Sequence, residues 1–121
     1  MNQNETKASH AEFILAKIDG GKSELKYQSG QVVYSQGDPA VFVFYVRDGR
    51  LKVSIVSEEG KEAVVAIHLP GNFFGEECLN GHPLRISTIT AMEECLVTSI
   101  EKNAMLTELQ REPKFSQMFM A

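Results

Sequence analysis

Residues 73–91 read FFGEECLNGHPLRISTITA, and this stretch decides how the rest of the chain is interpreted. It is a glycine-led loop with strand-like sequence on both sides. Gly75 permits a positive φ and a close approach of the backbone. The run Glu76 to Leu79 is long enough for one helical turn, whose free N–H groups favour an anion. The stretch therefore predicts an anion-binding elbow between two strands.

Glu76 and Arg85 are the residues of this elbow that carry chemistry, and they lie nine positions apart. The planar guanidinium of Arg85 matches two phosphate oxygens in a way that a lysine cannot. An ionised Glu76 only accepts hydrogen bonds, which suits a sugar hydroxyl and repels a phosphate. The pair therefore fits opposite ends of a ribose phosphate. The alternative is an Arg85–Glu76 salt bridge closing an ordinary loop, since such pairs are common and weak.

Size and composition indicate one globular domain. The 121 residues are enough for a single hydrophobic core and too few for two. A hydrophobic content of 43% with 23% charged residues excludes a largely disordered chain. No apolar run approaches the ~18 residues that cross a bilayer, and no signal segment opens the chain, so we expect a cytoplasmic protein with no membrane partner. The net charge of −4 argues against electrostatic binding of nucleic acid by this domain itself.

Glycine spacing and period-two patterns predict many short strands. Leu51, Val53 and Ile55 alternate with polar residues, and residues 63–69 repeat the pattern, which is typical of half-buried antiparallel strands. Asp48-Gly49 predicts a tight hairpin between strand 41–47 and the strand that follows. We expect a mainly β domain, an antiparallel double-sheet jelly roll of eight short strands. The turn signals are the glycines at 30, 37, 49, 60, 71 and 81.

Short helices are predicted at both ends of the strand region. Ser9-x-x-Glu12 is a capping box, and Gly20-Gly21 ends the helix that it opens. After Glu101 the apolar period becomes helical, and Pro113 breaks or restarts the helix. The residues at helical spacing are Ala104, Met105 and Leu109, followed by Phe115, Met118 and Phe119.

The domain organisation follows from these patterns. We assign residues 1–8 to a flexible N-terminus and residues 9–121 to one effector-type domain. The last amphipathic pattern stops at Ala121 without a cap, which we interpret as truncation of a longer chain.

Cysteines and histidines give no pattern typical of a metal site. Cys78 and Cys95 fit no metal or disulfide spacing, so we expect reduced thiols, with Cys95 buried and Cys78 accessible to a ligand. His10, His68 and His82 are scattered among different elements. No nucleophile motif is present, so we expect no catalytic residue, no metal, no cofactor and no enzymatic activity.

The stretch 73–91 resembles the phosphate-binding cassette of cyclic-nucleotide-binding domains, and we use the word cassette for these residues. The family form is Phe-Gly-Glu, a short helix, then Arg, small residues, Thr, an apolar residue and Ala. Thr88, Ile89 and Ala91 fall in register with it. The likeness covers about residues 12–121, and within the family the chain most resembles the effector domains of bacterial Crp/Fnr-type transcription regulators. Kinase regulatory subunits and gated channels carry the same cassette.

The resemblance implies a cyclic-nucleotide-binding β-roll and a set of ligand contacts. It puts the ribose hydroxyl on Glu76, and the phosphate on Arg85 and the backbone at Ile86. It puts close backbone packing at Gly75 and Cys78. The implied ligand-binding set is Gly75, Glu76, Cys78, Arg85, Ile86 and Ser87.

Two positions depart from the family form. Position 77 is usually apolar in the nucleotide-binding members, whereas Glu77 raises the negative potential around a phosphate unless its side chain points to solvent. Ile86 replaces a small residue, sometimes a serine, so only its amide can help to hold a phosphate.

The resulting hypothesis is a sensing domain that binds cyclic AMP, cyclic GMP or a similar phosphorylated effector. It would pass that signal to a DNA-binding domain absent from this chain, in a protein that is a homodimer at full length and contacts DNA only through the absent domain. The alternative is a degenerate, ligand-free dimerisation or interaction scaffold of the same fold, with Arg85 satisfied by Glu76 or Glu77.

Overall fold

The computed structural model describes residues 11–13 and 15–113, and within them eight strands form two four-stranded antiparallel sheets. The strands are β1 (Lys22–Tyr27), β2 (Val32–Tyr34), β3 (Phe42–Asp48), β4 (Leu51–Val56), β5 (Glu62–His68), β6 (Phe73–Phe74), β7 (Thr88–Ala91) and β8 (Cys95–Glu101). The first sheet has the order β1-β8-β3-β6 and the second the order β2-β7-β4-β5. The mainly β, double-sheet jelly roll predicted from the sequence is confirmed.

Helices cover the first sheet on the side away from the second. Helix α1 comprises residues 11–13 and 15–17, and helix α2 is Lys102–Arg111. Leu15, Met105 and Leu109 are buried against the sheet. Ser9 and the apolar residues 115–119 lie outside the described residues, so the capping box and the second C-terminal helix stay predictions. None of the described helices has both the length and the apolar character needed to cross a membrane.

Strand β3 shows how the sequence builds two apolar layers. Val43 and Tyr45 face the helices, whereas Phe44 and Val46 face the second sheet, because successive side chains of a strand point to opposite faces. All four are buried, so β3 appears in the sequence as a continuous apolar run. Each fully buried side chain of this size contributes roughly 1.5–3 kcal/mol to stability.

The hairpin predicted at Asp48-Gly49 is wrong. Strand β3 pairs with β8 and β6, whereas β4 pairs with β5 and β7, so the turn carries the chain from one sheet to the other. Gly49 has φ +85°, and a Cβ there would lie 2.5 Å from the Glu94 carbonyl oxygen. The Asp-Gly signal marked the positive-φ turn correctly but does not report which strands pair.

The prediction that β4 and β5 are half-buried strands is only partly correct. Leu51 and Val53 are buried, but a bulge after Val53 places Ser54 inside and leaves Ile55 40% exposed. The bulge shifts the side-chain alternation by one residue. Strand β5 is at the edge of its sheet and is exposed along almost its whole length.

The cassette connects the two sheets. It leaves the first sheet at β6, makes a 3-10 helix at Glu76–Asn80, and enters the second sheet at β7. Backbone hydrogen bonds tie Arg85 to the preceding turn: its N–H donates to the Asp38 carbonyl at 2.7 Å, and its carbonyl accepts from the Gly37 N–H at 2.8 Å. The backbone of Arg85 is therefore positioned by one turn, at Gly37 and Asp38, nearly fifty residues earlier in the chain.

Candidate functional site

Gly75 forms the elbow predicted from the sequence. Its φ of +76° lies in the left-handed region that favours glycine. A Cβ at this position would lie 2.8 Å from Nη1 of Arg85 and 3.2 Å from the Phe44 ring. The predicted helical turn follows directly as the 3-10 helix, which ends at Gly81. Glycine is therefore required both for the bend and for the space that the guanidinium occupies.

The Arg85 guanidinium points into the protein under this elbow. The residue is 3% exposed. Nη1 donates to the Gly75 carbonyl at 2.8 Å and to the Glu77 carboxylate at 3.3 Å, and Nη2 donates to the Phe42 carbonyl. The guanidinium carbon lies 4.1 Å from the centre of the Tyr34 ring, in cation–π contact.

One feature of Arg85 is costly for a structural residue. Its buried Nε has no hydrogen-bond acceptor among the described residues. Leaving a buried donor unpaired costs about 1–3 kcal/mol, and more for a charged group. The only carboxylate paired with it in the described chain is Glu77, whose side chain is 15% exposed. The Arg85–Glu76 salt bridge considered from the sequence does not form.

Glu76 occupies the other end of the elbow. It is half-buried, and burial raises the pKa of its carboxyl above the ordinary value. A hydrogen bond from its own backbone lowers this pKa, the Glu77 charge raises it, and Arg85 lowers it. The ionised carboxylate is therefore an acceptor held where water solvates it poorly, which is suited to a ligand hydroxyl.

Aromatic rings form a wall beside the guanidinium. The Phe44 and Phe74 rings stack at 4.9 Å, and the His68 ring stacks on Phe74 at 5.2 Å. Burial lowers the pKa of His68 and raises that of Tyr34. Tyr34 and His68 were missed by the sequence analysis, because the contacts of Tyr34 with Arg85 and of His68 with Phe74 depend on strand register; Tyr34, for example, is paired with Ile89.

The remaining cassette residues of the predicted set are arranged as follows. Ile86 is 55% exposed, and Ser87 is buried. Cys78 is fully buried, with its Sγ 3.7 Å from the Phe42 carbonyl oxygen, and burial raises the pKa of its thiol. The expectation that Cys78 is accessible to a ligand is therefore wrong, because its side chain packs under the 3-10 helix.

The cysteines and the possible metal ligands add no second site. Cys78 and Cys95 are both free and buried, as expected for Cys95. In residues 11–13 and 15–113, no group of three or more His, Cys, Asp or Glu side chains is arranged to hold a metal ion.

Comparison with known families agrees with this geometry. The cyclic nucleotide-binding domain family matches residues 24–112, which include the whole cassette. The chain belongs to the cyclic nucleotide-binding domain family. The recognition of a Crp/Fnr-type domain from the cassette is confirmed at this level, since its relatives are regulators of that type.

The relatives that the chain matches are longer than the chain itself. It is 30% identical over 95 residues to an Anaerobic regulatory protein of Aggregatibacter actinomycetemcomitans, covering 77% of this chain and 36% of that protein. It is 22% identical over 106 residues to a CRP-like cAMP-activated global transcriptional regulator of Mycobacterium tuberculosis, covering 88% and 47%. The chain thus spans between about a third and a half of the relatives that it matches.

Solved structures show the same fold. The Thermus thermophilus Catabolite Activator Protein superposes with a TM-score of 0.76 at 22% identity, covering 87% of this chain and 47% of that one. The c-di-GMP responsive global regulator of Xanthomonas campestris gives 0.78 at 22% identity, covering 92% and 53%. These likenesses support the jelly-roll architecture.

Proposed function

We propose that this chain is the effector-sensing domain of a Crp/Fnr-type transcription regulator and that its cassette binds a phosphorylated nucleotide effector, with cyclic AMP and cyclic GMP as the first candidates. In this proposal Arg85 and the Ile86 amide hold the phosphate, and Glu76 accepts a hydrogen bond from a ribose hydroxyl. Gly75, Cys78 and Ser87 keep the elbow in shape. The domain senses and does not catalyse.

The observation that carries the proposal is the buried Arg85 Nε without an acceptor. A folded chain retains such a donor at a cost, and functional sites are where such costs are retained. A phosphate oxygen is an acceptor of the right charge and geometry for a guanidinium. The half-buried Glu76 adds a second group that becomes better satisfied when a hydroxyl approaches.

The relatives widen the range of effectors. One is described as cAMP-activated and a structural neighbour as c-di-GMP responsive, whereas others are described as anaerobic regulatory proteins. All these descriptions are compatible with the same fold carrying different signals. The shared chemistry that we propose for this chain is a ribose-linked phosphate.

The wider context is also part of the proposal. By analogy with its relatives, the full protein acts in the cytoplasm as a homodimer and contacts DNA through a separate domain. Ligand binding would shift the cassette between two arrangements, and the differential affinity for them drives the signal.

The direct test is calorimetric titration of the purified domain with cyclic AMP and cyclic GMP up to millimolar concentration. We expect one of them to bind, and Arg85→Lys to weaken that binding by about 1.5–3 kcal/mol, because lysine keeps the charge but loses the fork. Lysine is preferred to alanine, since the buried side chain also supports the fold. Absence of heat from both nucleotides would remove cyclic mononucleotides as effectors.

A second candidate function has its own supporting observation. Arg85 is paired with Glu77, as expected for a ligand-free dimerisation or interaction scaffold whose cassette is satisfied internally. Under that hypothesis neither cyclic AMP nor cyclic GMP binds to the wild type. The same titration therefore separates the two functions.

A further inference from the structure

The Glu77 carboxylate occupies the only charged contact that Arg85 makes in the described chain. It lies 3.3 Å from Nη1, and both side chains are largely buried, at 2% and 15% exposure. Carboxylate and phosphate oxygens use the same donors of a guanidinium. We propose that Glu77 acts as a built-in anion that competes with the effector's phosphate for Arg85 and so sets which ligands the site accepts. This inference rests on the proposed function.

The two neighbouring carboxylates point in different directions. Successive side chains of a 3-10 helix are turned by about 120° from each other, so Glu76 and Glu77 serve different faces. Only Glu77 contacts Arg85 directly. Glu76 is left for the ligand, and Glu77 for the internal pair.

The Glu77 side chain can change partner without loss of the 3-10 helix. Its backbone carbonyl accepts the N–H groups of Gly81 and His82, which close the end of that helix. These bonds hold the backbone in place while the side chain turns outward. The competing contact is therefore reversible within one backbone arrangement.

The charge of Glu77 reaches the whole candidate site. Burial is the main cause of the pKa shifts of Tyr34, His68 and Glu76, and the Glu77 charge acts on all three. With Glu76 and Glu77 ionised and Arg85 protonated, the three side chains carry a formal charge of −1 before any ligand enters. A phosphate adds another negative charge, so the proposed binding is favoured when the Glu77 carboxylate turns away from Arg85. The site thereby selects anions that bind Arg85 strongly enough to displace a carboxylate.

The test measures cyclic AMP and cyclic GMP affinity in the wild type and in Glu77→Gln, which keeps the shape and removes the charge. Glu59→Gln is the matched control, because Glu59 is exposed in the β4–β5 turn and its replacement changes the net charge equally. We expect Glu77→Gln to bind about tenfold more tightly or better. We expect the control to bind like the wild type.

Three outcomes would overturn the competition between Glu77 and the phosphate. Equal or weaker binding by Glu77→Gln, with a wild type that binds, overturns the competition and leaves the proposed function intact. An equal gain in the control also overturns it, because the effect is then one of net charge. Absence of binding in every variant overturns the proposed function and the competition with it.

A second variant covers the case in which Glu77→Gln does not fold. Glu77→Leu places an apolar side chain of similar size there, and the same tightening is expected. In the wild type, nucleotide should also shift the NMR resonances of the Glu77 carboxyl carbon and the Arg85 side-chain nitrogens together. A shift of the Arg85 resonances alone contradicts displacement.

Discussion

Arg85 and Glu76 lie on the same loop but are held in opposite ways. Arg85 is 3% exposed, stacks on Tyr34 and donates to two backbone carbonyls as well as to Glu77. Glu76 is half-buried, and burial raises the pKa of its carboxyl. Arg85 is thus part of the buried core, whereas Glu76 keeps a poorly solvated carboxylate available to a ligand. Replacing Arg85 should therefore lower mainly the stability of the fold, whereas replacing Glu76 should lower mainly the affinity for a ligand.

Arg85→Ala should have the largest effect on stability. It removes the stacking on Tyr34 and leaves the Gly75 and Phe42 carbonyls without this donor, so we expect a loss of about 3–5 kcal/mol in the free energy of unfolding. Urea denaturation followed by circular dichroism measures it. The matched control is Arg50→Ala, whose exposed ion pair with Glu93 should contribute only about 0–1 kcal/mol. Similar losses for both variants would place Arg85 outside the core.

Gly75→Ala should come next. The new methyl group meets a positive φ and the Arg85 guanidinium at 2.8 Å, so we expect a loss of about 3 kcal/mol. The control is Gly60→Ala, which has a similar φ of +83° but no neighbour within 4 Å of the added Cβ. Its free energy of unfolding should fall only by the strain of placing a Cβ at a positive φ, about 1–2 kcal/mol. If both variants lose the same amount in denaturation, the crowding under the elbow is not real.

Glu76→Gln should have the smallest effect on stability. At neutral pH it should raise the free energy of unfolding, whereas the other two variants lower it. The folded pKa of Glu76 is raised above its ordinary value of 4.5, so the stability linked to its protonated form is lost as pH rises through the folded pKa. The wild type should therefore lose stability relative to Glu76→Gln as pH increases above about 4.5. Unfolding free energies measured from pH 4 to pH 7 give the difference. If the free energy of unfolding of the wild type instead rises relative to that of Glu76→Gln as pH increases, burial does not destabilise the ionised Glu76 carboxylate.

Much of the fold was predictable because it rests on local patterns. The glycine spacing predicted the short strands, and the cassette sequence predicted the elbow and its helical turn. The Asp48-Gly49 turn was misassigned, because local turn chemistry is the same whether the next strand pairs with the last or crosses to another sheet. The exposure of β5 depends on its place at a sheet edge, which alternation does not encode.

The candidate site was predictable in its residue types but not in its contacts. The spacing of Glu76 and Arg85 placed them at opposite ends of the elbow. Whether the guanidinium turns inward depends on Tyr34, which is about fifty positions away and reaches Arg85 through strand pairing. Glu77 was visible as a departure from the family form, yet its choice of partner required the three-dimensional structure.

The most direct test of the account is the nucleotide affinity of Glu76→Gln measured by calorimetry beside that of the wild type. We predict that the wild type binds cyclic AMP or cyclic GMP and that the variant binds the same nucleotide about tenfold more weakly, with no fall in its melting temperature. Equal affinity of the two proteins, or no binding by the wild type, would contradict the claim that this end of the cassette is kept for a ligand.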